Sequence, residues 1–308
     1  MNKDFQVGWW LVVLTIVLML LADISFAEFF LSRNEAAAEY VVSIIGESVI
    51  LIPSGLGILY ILLSERKTGR KNGLSATERI NEIVPLKKAK ASAVLLGVPA
   101  MLGAQYFITY LTLPVQALLI LLFGAETATS QMLIPRDAAG YILAFAALCV
   151  AAPIAEEILC RGVLMRLFGR YGVVTALISS SLAFALLHFE ARTFIQILFV
   201  GLLLGTFRIC TGSVIPGIIM HSANNLLSLC QLSFPAENEM FLTLICIVLA
   251  VLFVPIMFLL FYGYEKNFSV PDMPMNRTKT GFSLGACICV CLFVLFNLGV
   301  LLERIINL

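Results

Sequence analysis

Three ionisable side chains lie close together inside a long apolar stretch of the sequence. Glu156, Glu157 and Arg161 fall within the apolar run from Tyr141 to Phe168. A charged group at the centre of a membrane helix costs at least about 2.5–3.5 kcal/mol on insertion scales, and it is usually retained for function. On a helix, Glu157 and Arg161 are about one turn apart and can pair, whereas Glu156 is rotated about 100° from Glu157. The stretch therefore indicates either a free catalytic acid or a structural ion pair with a spare acid at a helix seam.

The chain contains only two histidines, His188 and His221, and both lie in apolar runs. His188 follows Phe184 by four residues and His221 precedes Asn225 by four, so each pair shares a helical face. Asn224, next to Asn225, is assigned to another face and left out. A buried histidine is by itself more often a packing residue than a catalytic one, so the argument depends on where these residues lie.

Helix lengths indicate that these groups lie at similar depths. The connection from Gly169 to Gly172 joins two predicted antiparallel helices, and Glu156 and His188 are each 16 residues from Gly172. At 1.5 Å of rise per residue, both lie about 24 Å from this turn. His221 reaches the same level only if the turn near residues 211–213 is deeper in the bundle.

The chemistry that this set suits is the activation of water. A carboxylate removed from solvent can act as a general base, and a nearby histidine can share the proton of the water. A second histidine and an asparagine on one face can donate hydrogen bonds to a developing oxyanion. Two histidines and one glutamate also match a zinc ligand set. Against a metal, the H-E-x-x-H arrangement is absent and Arg161 brings a positive charge nearby, so no cofactor is expected.

The composition indicates which elements position these groups. The chain has 308 residues, of which 60% are hydrophobic and 13% charged, and its mean hydropathy is +1.00. Apolar runs approach or exceed the roughly 20 residues that a membrane span needs. We therefore predict an all-α polytopic membrane helix bundle of about eight or nine transmembrane helices. The predicted spans are 9–30, 40–63, 91–123 (which Pro114 could split), 138–168, 173–189, 194–210, 214–231, 240–263 and 282–302.

One strongly basic loop, residues 64–90, fixes the predicted orientation. By the positive-inside rule it is cytoplasmic, which also places the N-terminus inside. No basic stripe with interleaved aromatic residues appears, so no nucleic-acid partner is expected. The eight cysteines contain no C-x-x-C pair and are interpreted as packing residues.

Taken together, the motifs resemble those of a known family. Glu156-Glu157-x-x-x-Arg161, Phe184-x-x-x-His188 and His221-x-x-x-Asn225 occur in order on three predicted helices. They resemble the three signature motifs of the CPBP family, the CaaX-protease and bacteriocin-processing group also called Abi. The resemblance implies a catalytic core over residues 138–232, with further transmembrane helices in residues 1–137 and 233–308.

The resemblance also implies an activity and a role for each residue. The family is one of glutamate-dependent intramembrane endopeptidases. By position, Glu156 and His188 would activate the water and His221 and Asn225 would stabilise the oxyanion. Glu157 and Arg161 would hold the first motif in place, as the helical faces also suggest.

The expected partners are a membrane-associated peptide or protein substrate and the lipid bilayer, in a bacterial plasma membrane. The substrate could be a CaaX-type C-terminus, a bacteriocin or a signal peptide. Two other functions stay open at this point. One is a non-catalytic scaffold or bacteriocin-immunity protein. The other is a proton-coupled transporter, which would more naturally show repeated halves.

Overall fold

The computed structural model describes residues 3–31, 36–67, 73–88, 90–123, 135, 137–233 and 283–306, and nine further residues between 241 and 255. Over these residues the chain forms helices and no strand, which confirms the predicted all-α class. The principal helices, in chain order, are α1 (Lys3–Leu31), α2 (Ala36–Val49), α3 (Leu51–Lys67), α4 (Ala76–Ile83), α5 (Ala91–Phe123), α6 (Ala138–Gly169), α7 (Val173–Leu187), α8 (Phe194–Thr211), α9 (Ile215–Ser233) and α10 (Leu284–Ile306).

Length and composition identify the membrane-spanning segments. Five described segments are long and apolar enough to cross a membrane, and they confirm a polytopic membrane bundle. The predicted number of eight or nine spans is not confirmed, and the span predicted at 240–263 lies largely outside the described residues. The five segments are Lys3–Ala22, Tyr40–Lys67, Ala91–Leu121, Ala138–Gly169 and Phe194–Thr211. The predicted span 91–123 is one helix, because α5 continues through Pro114.

Helix α6 departs from regular α-helical geometry on both sides of the acidic pair. It begins with Asp137 as N-cap, whose side chain accepts a hydrogen bond from the Gly140 amide at 2.7 Å. Its turns are π-helical at Phe145–Ala151 and again at Ile158–Leu164. A π turn widens the helix and rotates the residues after it, and such turns are frequent at functional sites. The short α-helical segment Ala152–Glu157 between them carries both glutamates.

Ion pairs gather several chain segments at one end of the bundle. Asp4 of α1 pairs with Arg170 in the turn after α6, and it also accepts a hydrogen bond from Tyr60 of α3 at 2.8 Å. Glu65 at the end of α3 pairs with Arg166 of α6 at 3.0 Å. The N-terminus and the start of the basic loop therefore lie at the same end, in agreement with the predicted threading.

The turn between α8 and α9 is recessed into the bundle. The Val214 amide donates to the Pro85 carbonyl oxygen at 3.0 Å, and the Ser213 hydroxyl donates to the same oxygen at 3.3 Å. The neighbouring Val84 packs on Gly162 of α6, where a Cβ would approach the valine side chain to 2.8 Å. Gly162 lies about 10 Å along α6 from the end of that helix. The segment after α4 thus folds inward and carries the start of α9 to a deeper level.

Helix α1 packs closely against the end of α6. The rings of Phe5 and Trp9 lie 5.2 and 5.5 Å from the ring of Phe168, centroid to centroid. Gly8 lies directly opposite, and a Cβ there would come within 2.5 Å of the Phe168 ring. Small residues of this kind let membrane helices approach closely. This contact holds the end of α6 that precedes the 169–172 turn.

Candidate active site

Arg161 is the centre of the polar cluster inside the bundle. Its Nη1 lies 2.9 Å from Oε1 of Glu157, and both side chains are fully buried, so the ion pair predicted from their spacing forms. Nη2 donates to the carbonyl oxygen of Gly201 in α8 at 3.0 Å. The guanidinium carbon stands 4.3 Å over the ring centroid of Phe184 in α7. One cation therefore ties α6 to both α7 and α8.

Glu156 is the acid that does not take part in the Glu157–Arg161 ion pair. The residue is 8% exposed, and its Oε2 has no hydrogen-bond partner in the described part of the chain. The only basic group within 4 Å of its carboxylate among the described residues is His221, whose Nε2 lies 3.8 Å from Oε2. The other ring nitrogen, Nδ1, lies 3.6 Å from Oε1 of Glu157. One imidazole is thus held between two carboxylates, at distances slightly longer than a hydrogen bond.

Glycine allows α9 to bring His221 this close. Gly217 is one turn before His221, and a Cβ at this position would lie 2.7 Å from Oε2 of Glu157. Any side chain here would have to displace the buried carboxylate. The sequence analysis did not identify Gly217 or Gly201, although the four-residue spacing of Gly217 from His221 was a signal that could have been used.

His188 is oriented by the backbone of its own helix. It caps the C-terminus of α7, and its Nδ1 lies 2.8 Å from the carbonyl oxygen of Phe184. A carbonyl oxygen can only accept, so Nδ1 carries the hydrogen in this bond and the Nε2 lone pair of the neutral ring stays available. The residue is exposed, so this nitrogen can be reached.

Phe184 links the two histidines. Its ring centroid lies 4.7 Å from the ring of His188 and 5.6 Å from that of His221. Both His188 and Glu156 are among the described residues, and no hydrogen bond or ion pair joins them directly. The structure therefore brings His221, rather than His188, into direct approach to the acid, with His188 connected through the aromatic ring.

The asparagine of the third motif has a partner on α6. Nδ2 of Asn225 donates to the Leu148 carbonyl oxygen at 2.8 Å, within the first π-helical stretch. Asn224, set aside in the sequence analysis, is 7% exposed and directs its own amide towards Oδ1 of Asn225 at 3.5 Å. Its Oδ1 has no hydrogen-bond partner within the described residues. A second amide therefore belongs to this cluster.

An additional carboxyl group follows His188 in the loop to α8. Burial raises the pKa of Glu190, and a hydrogen bond with Thr193 and the nearby charge of Arg192 oppose that effect. The motifs do not include this acid. Its place two residues after the histidine gives His188 an acidic neighbour.

The His and Glu side chains of the cluster can also be compared with the geometry that a metal ion requires. Among the residues that the structure describes, no group of three His, Cys, Asp or Glu side chains is arranged to hold a metal ion. The cluster does have a chemistry of its own. It contains an acid, Glu156, whose Oε2 has no hydrogen bond in the described residues, together with two imidazoles and two amides, on helices α6 and α9 and at the end of α7.

Comparison with known proteins adds a family to this geometry. Residues 138–227 match the family model described as "Type II CAAX prenyl endopeptidase Rce1-like". No curated protein and no solved structure gives a match. The matched segment contains the three motifs from Glu156 to Asn225. The match confirms the resemblance to the CPBP family: residues 138–227 of this multi-pass membrane protein are similar to the Rce1-like type II CAAX prenyl endopeptidases.

Proposed function

We propose that this protein is a glutamate-dependent intramembrane endopeptidase in which Glu156 is the general base. The observation that carries the proposal is the difference between the two adjacent acids. Glu157 is paired with Arg161 at 2.9 Å, whereas Glu156 has no arginine or lysine within 4 Å among the described residues, and its Oε2 faces the imidazole of His221 at 3.8 Å. A buried acid without a fixed partner is the group that proton transfer requires.

The proposed reaction is the hydrolysis of one peptide bond by water. Glu156 takes a proton from water, and the oxygen of that water forms a bond to the carbonyl carbon of the substrate. The carbonyl oxygen becomes the oxyanion of a tetrahedral intermediate. Glu156 then returns the proton to the amide nitrogen, the oxyanion re-forms the carbonyl as the C–N bond breaks, and a carboxylic acid and an amine are released. The acid then gives its proton to the amine, which leaves a carboxylate and an ammonium group.

His188 assists by accepting a hydrogen bond from the same water. Because Nδ1–H is held by the Phe184 carbonyl, Nε2 is the acceptor in the neutral ring. The exposure of His188 supports access of substrate and water from its side of the cluster. Removing a group that shares the proton lowers the rate by about 10²- to 10⁴-fold.

The oxyanion is stabilised from α9. An amide nitrogen carries two hydrogens, and Asn225 uses one for the Leu148 carbonyl, so the other is left for the oxyanion. An N–H of His221 is the second donor. Loss of one such donor costs about 10²- to 10³-fold in kcat.

For the substrate we favour a prenylated C-terminal peptide held at the membrane. The support is the printed description of the family model, which names a CAAX prenyl endopeptidase. The lipid would enter the bilayer and present the peptide to helices α6, α7 and α9. We place the protein in the plasma membrane of a bacterium, as the family resemblance suggests.

The test is cleavage by purified protein in detergent, with prenylated and non-prenylated peptides side by side and chelator present or absent. We expect Glu156→Gln to lower kcat by about 10²- to 10⁴-fold, with a chelator having no effect on the wild type. Glu65→Gln is the matched control, because it removes a buried carboxylate paired at the far end of the bundle. Its kcat should stay within about twofold of the wild type.

Other results would assign another function. Loss of activity on chelation would point to a metal enzyme. If the wild type cleaves no peptide and Glu156→Gln still supports function in cells, the protein is a scaffold or immunity protein. Dependence of cellular function on a proton gradient would favour a transporter. Cleavage of non-prenylated peptides alone would favour bacteriocin or signal-peptide processing.

A further inference from the structure

A polar side chain of the last helix reaches the loop that follows His188. Oδ1 of Asn297 in α10 accepts a hydrogen bond from the Ala191 amide at 3.1 Å. Its Nδ2 donates to the Phe189 carbonyl oxygen at 3.1 Å and to the Phe293 carbonyl one turn earlier in α10 at 2.9 Å. The side-chain amide therefore bridges two backbone groups of the loop from outside the matched segment 138–227.

The loop needs such support because of its backbone conformation. Phe189 has a φ of 54°, and it is the only non-glycine residue with a positive φ in the described part of the chain. A bulky residue adopts the left-handed region only where surrounding contacts hold it there. The Phe189 amide closes the end of α7 by donating to the Leu186 carbonyl oxygen at 3.3 Å. The carbonyl oxygen of Phe189 is the one that accepts a hydrogen bond from Asn297.

This strained residue is directly attached to His188. The imidazole keeps its place through the 2.8 Å contact of Nδ1 with the Phe184 carbonyl, which depends on how the last turn of α7 ends. Relaxation of Phe189 into an ordinary conformation would redirect the chain at His188. The position of Nε2, the proposed acceptor, would change with it.

Helix α10 is well placed to hold the loop. The ring of Phe293 packs on Phe194, the first residue of α8, with the centroids 5.2 Å apart. At the other end of the helix, Ser283 donates to Oε1 of Gln6 in α1 at 3.1 Å. Independently of this bond, Gly285 packs on Trp9 of α1, where a Cβ would come within 2.9 Å of the Trp9 Cβ. The helix is thus anchored by packing at one end of the bundle and contacts the His188 loop at the other.

We infer that Asn297 is a positioning residue that fixes His188 through the backbone of the 189–191 loop. The inference rests on the proposed function for its effect on catalysis, and on the hydrogen bonds alone for its effect on the loop. The two can therefore be tested separately.

The catalytic test is a double-mutant cycle. Asn297→Leu keeps most of the volume but removes both bonds to the loop, and it should lower kcat by about 10-fold or more with KM within about twofold, since small displacements of catalytic groups are costly. In the His188→Ala background the same change should add less than about twofold, because coupled residues are not additive. Ser283→Ala is the matched control, and it should leave kcat unchanged.

The second measurement needs no activity. Hydrogen–deuterium exchange, read by mass spectrometry in lipid nanodiscs, should be faster over residues 189–191 in Asn297→Leu and unchanged there in Ser283→Ala. Unchanged exchange in Asn297→Leu overturns the inference, whether or not the protein cleaves peptides. Equal losses of kcat in the wild-type and His188→Ala backgrounds also overturn it. A wild type that cleaves nothing overturns the proposed function alone.

Discussion

Two buried glutamate–arginine pairs in this bundle have almost the same N···O distance and very different surroundings. Glu65 and Arg166 lie 3.0 Å apart and join α3 to α6 at the end where the basic loop begins. Glu157 and Arg161 lie 2.9 Å apart within α6, in the interior. The first pair links two helices. The second is formed inside one helix, and its arginine also reaches two neighbouring helices.

The difference that matters for function is which other ionisable groups lie beside each pair. Beside the interior pair lie a second acid, Glu156, and an imidazole, His221, 3.8 Å apart. Arg161 is the counter-charge of Glu157, whereas the only basic group within 4 Å of Glu156 in the described residues is the imidazole of His221. A matched pair stabilises a fold, whereas an acid whose only basic neighbour is an imidazole can transfer protons. The interior cluster is therefore the candidate for chemistry.

Removing the cation from each pair should separate the two regions most strongly. Arg161→Leu leaves Glu157 buried without a counter-charge, and the free energy of unfolding should fall by about 3–5 kcal/mol. Arg166→Leu should cost only about 1–3 kcal/mol, because the Arg166 side chain is 10% exposed and shortening it opens a path for water to Glu65. Denaturation in detergent, followed by tryptophan fluorescence, measures both. Equal losses would contradict the distinction between interior and end.

A double variant tests whether the unpaired charge of Glu157 causes the loss of stability in Arg161→Leu. Glu157→Leu combined with Arg161→Leu removes both charges, and apolar replacements of buried pairs are often neutral for stability. Most of the loss in Arg161→Leu should then be recovered. If the double variant is as unstable as the single one, the arginine contributes through Gly201 and Phe184 rather than through charge.

Crowding at the interior pair gives a smaller effect. Gly217→Ala would place a Cβ 2.7 Å from Oε2 of Glu157, and overpacking of this kind costs about 1–3 kcal/mol. Gly55→Ala is the matched control in α3, where no heavy atom lies within 4 Å of the added Cβ. There the change should be neutral or stabilising by up to about 1 kcal/mol. Thermal unfolding of both variants, with cleavage assayed in parallel, tests this difference. Equal stability of the two variants would contradict the close contact at Gly217.

Part of this molecule could be predicted from local sequence rules. The Glu157–Arg161 pair forms because a four-residue spacing brings side chains together over one turn, whatever surrounds the helix. Long apolar runs gave the helical membrane class, because a membrane leaves few other ways to satisfy the backbone. Counting residues from the 169–172 turn showed that His221 reaches the level of Glu156 only if α9 begins deeper in the bundle than that turn. The contacts of Val214 with Pro85 and of Val84 with Gly162 place the start of α9 at such a level.

The remaining features depend on contacts between distant parts of the chain. The π-helical turns of α6 are not visible in a hydrophobic pattern, because they change hydrogen bonding without changing residue type. The close approach of Gly217 to Glu157 needs the packing of α9 to be known. The bonds of Asn297 join residues more than one hundred positions apart. No local period connects such residues.

The smallest expected effect concerns the aromatic ring between the two histidines. Phe184→Leu removes the ring under Arg161, an interaction worth about 0.5–2 kcal/mol, and the contact with both imidazoles. Phe168→Leu, at the bundle end beside Phe5, removes a buried ring of the same kind away from the cluster. We expect similar losses of stability from the two variants but a fall in kcat, of about 10-fold, only for Phe184→Leu. Each variant removes one buried ring, so the packing cost is matched. Equal kcat values would show that the Phe184 ring contributes to stability and not to catalysis. The functional difference between the interior cluster and the bundle end would then depend on Glu156 and His221.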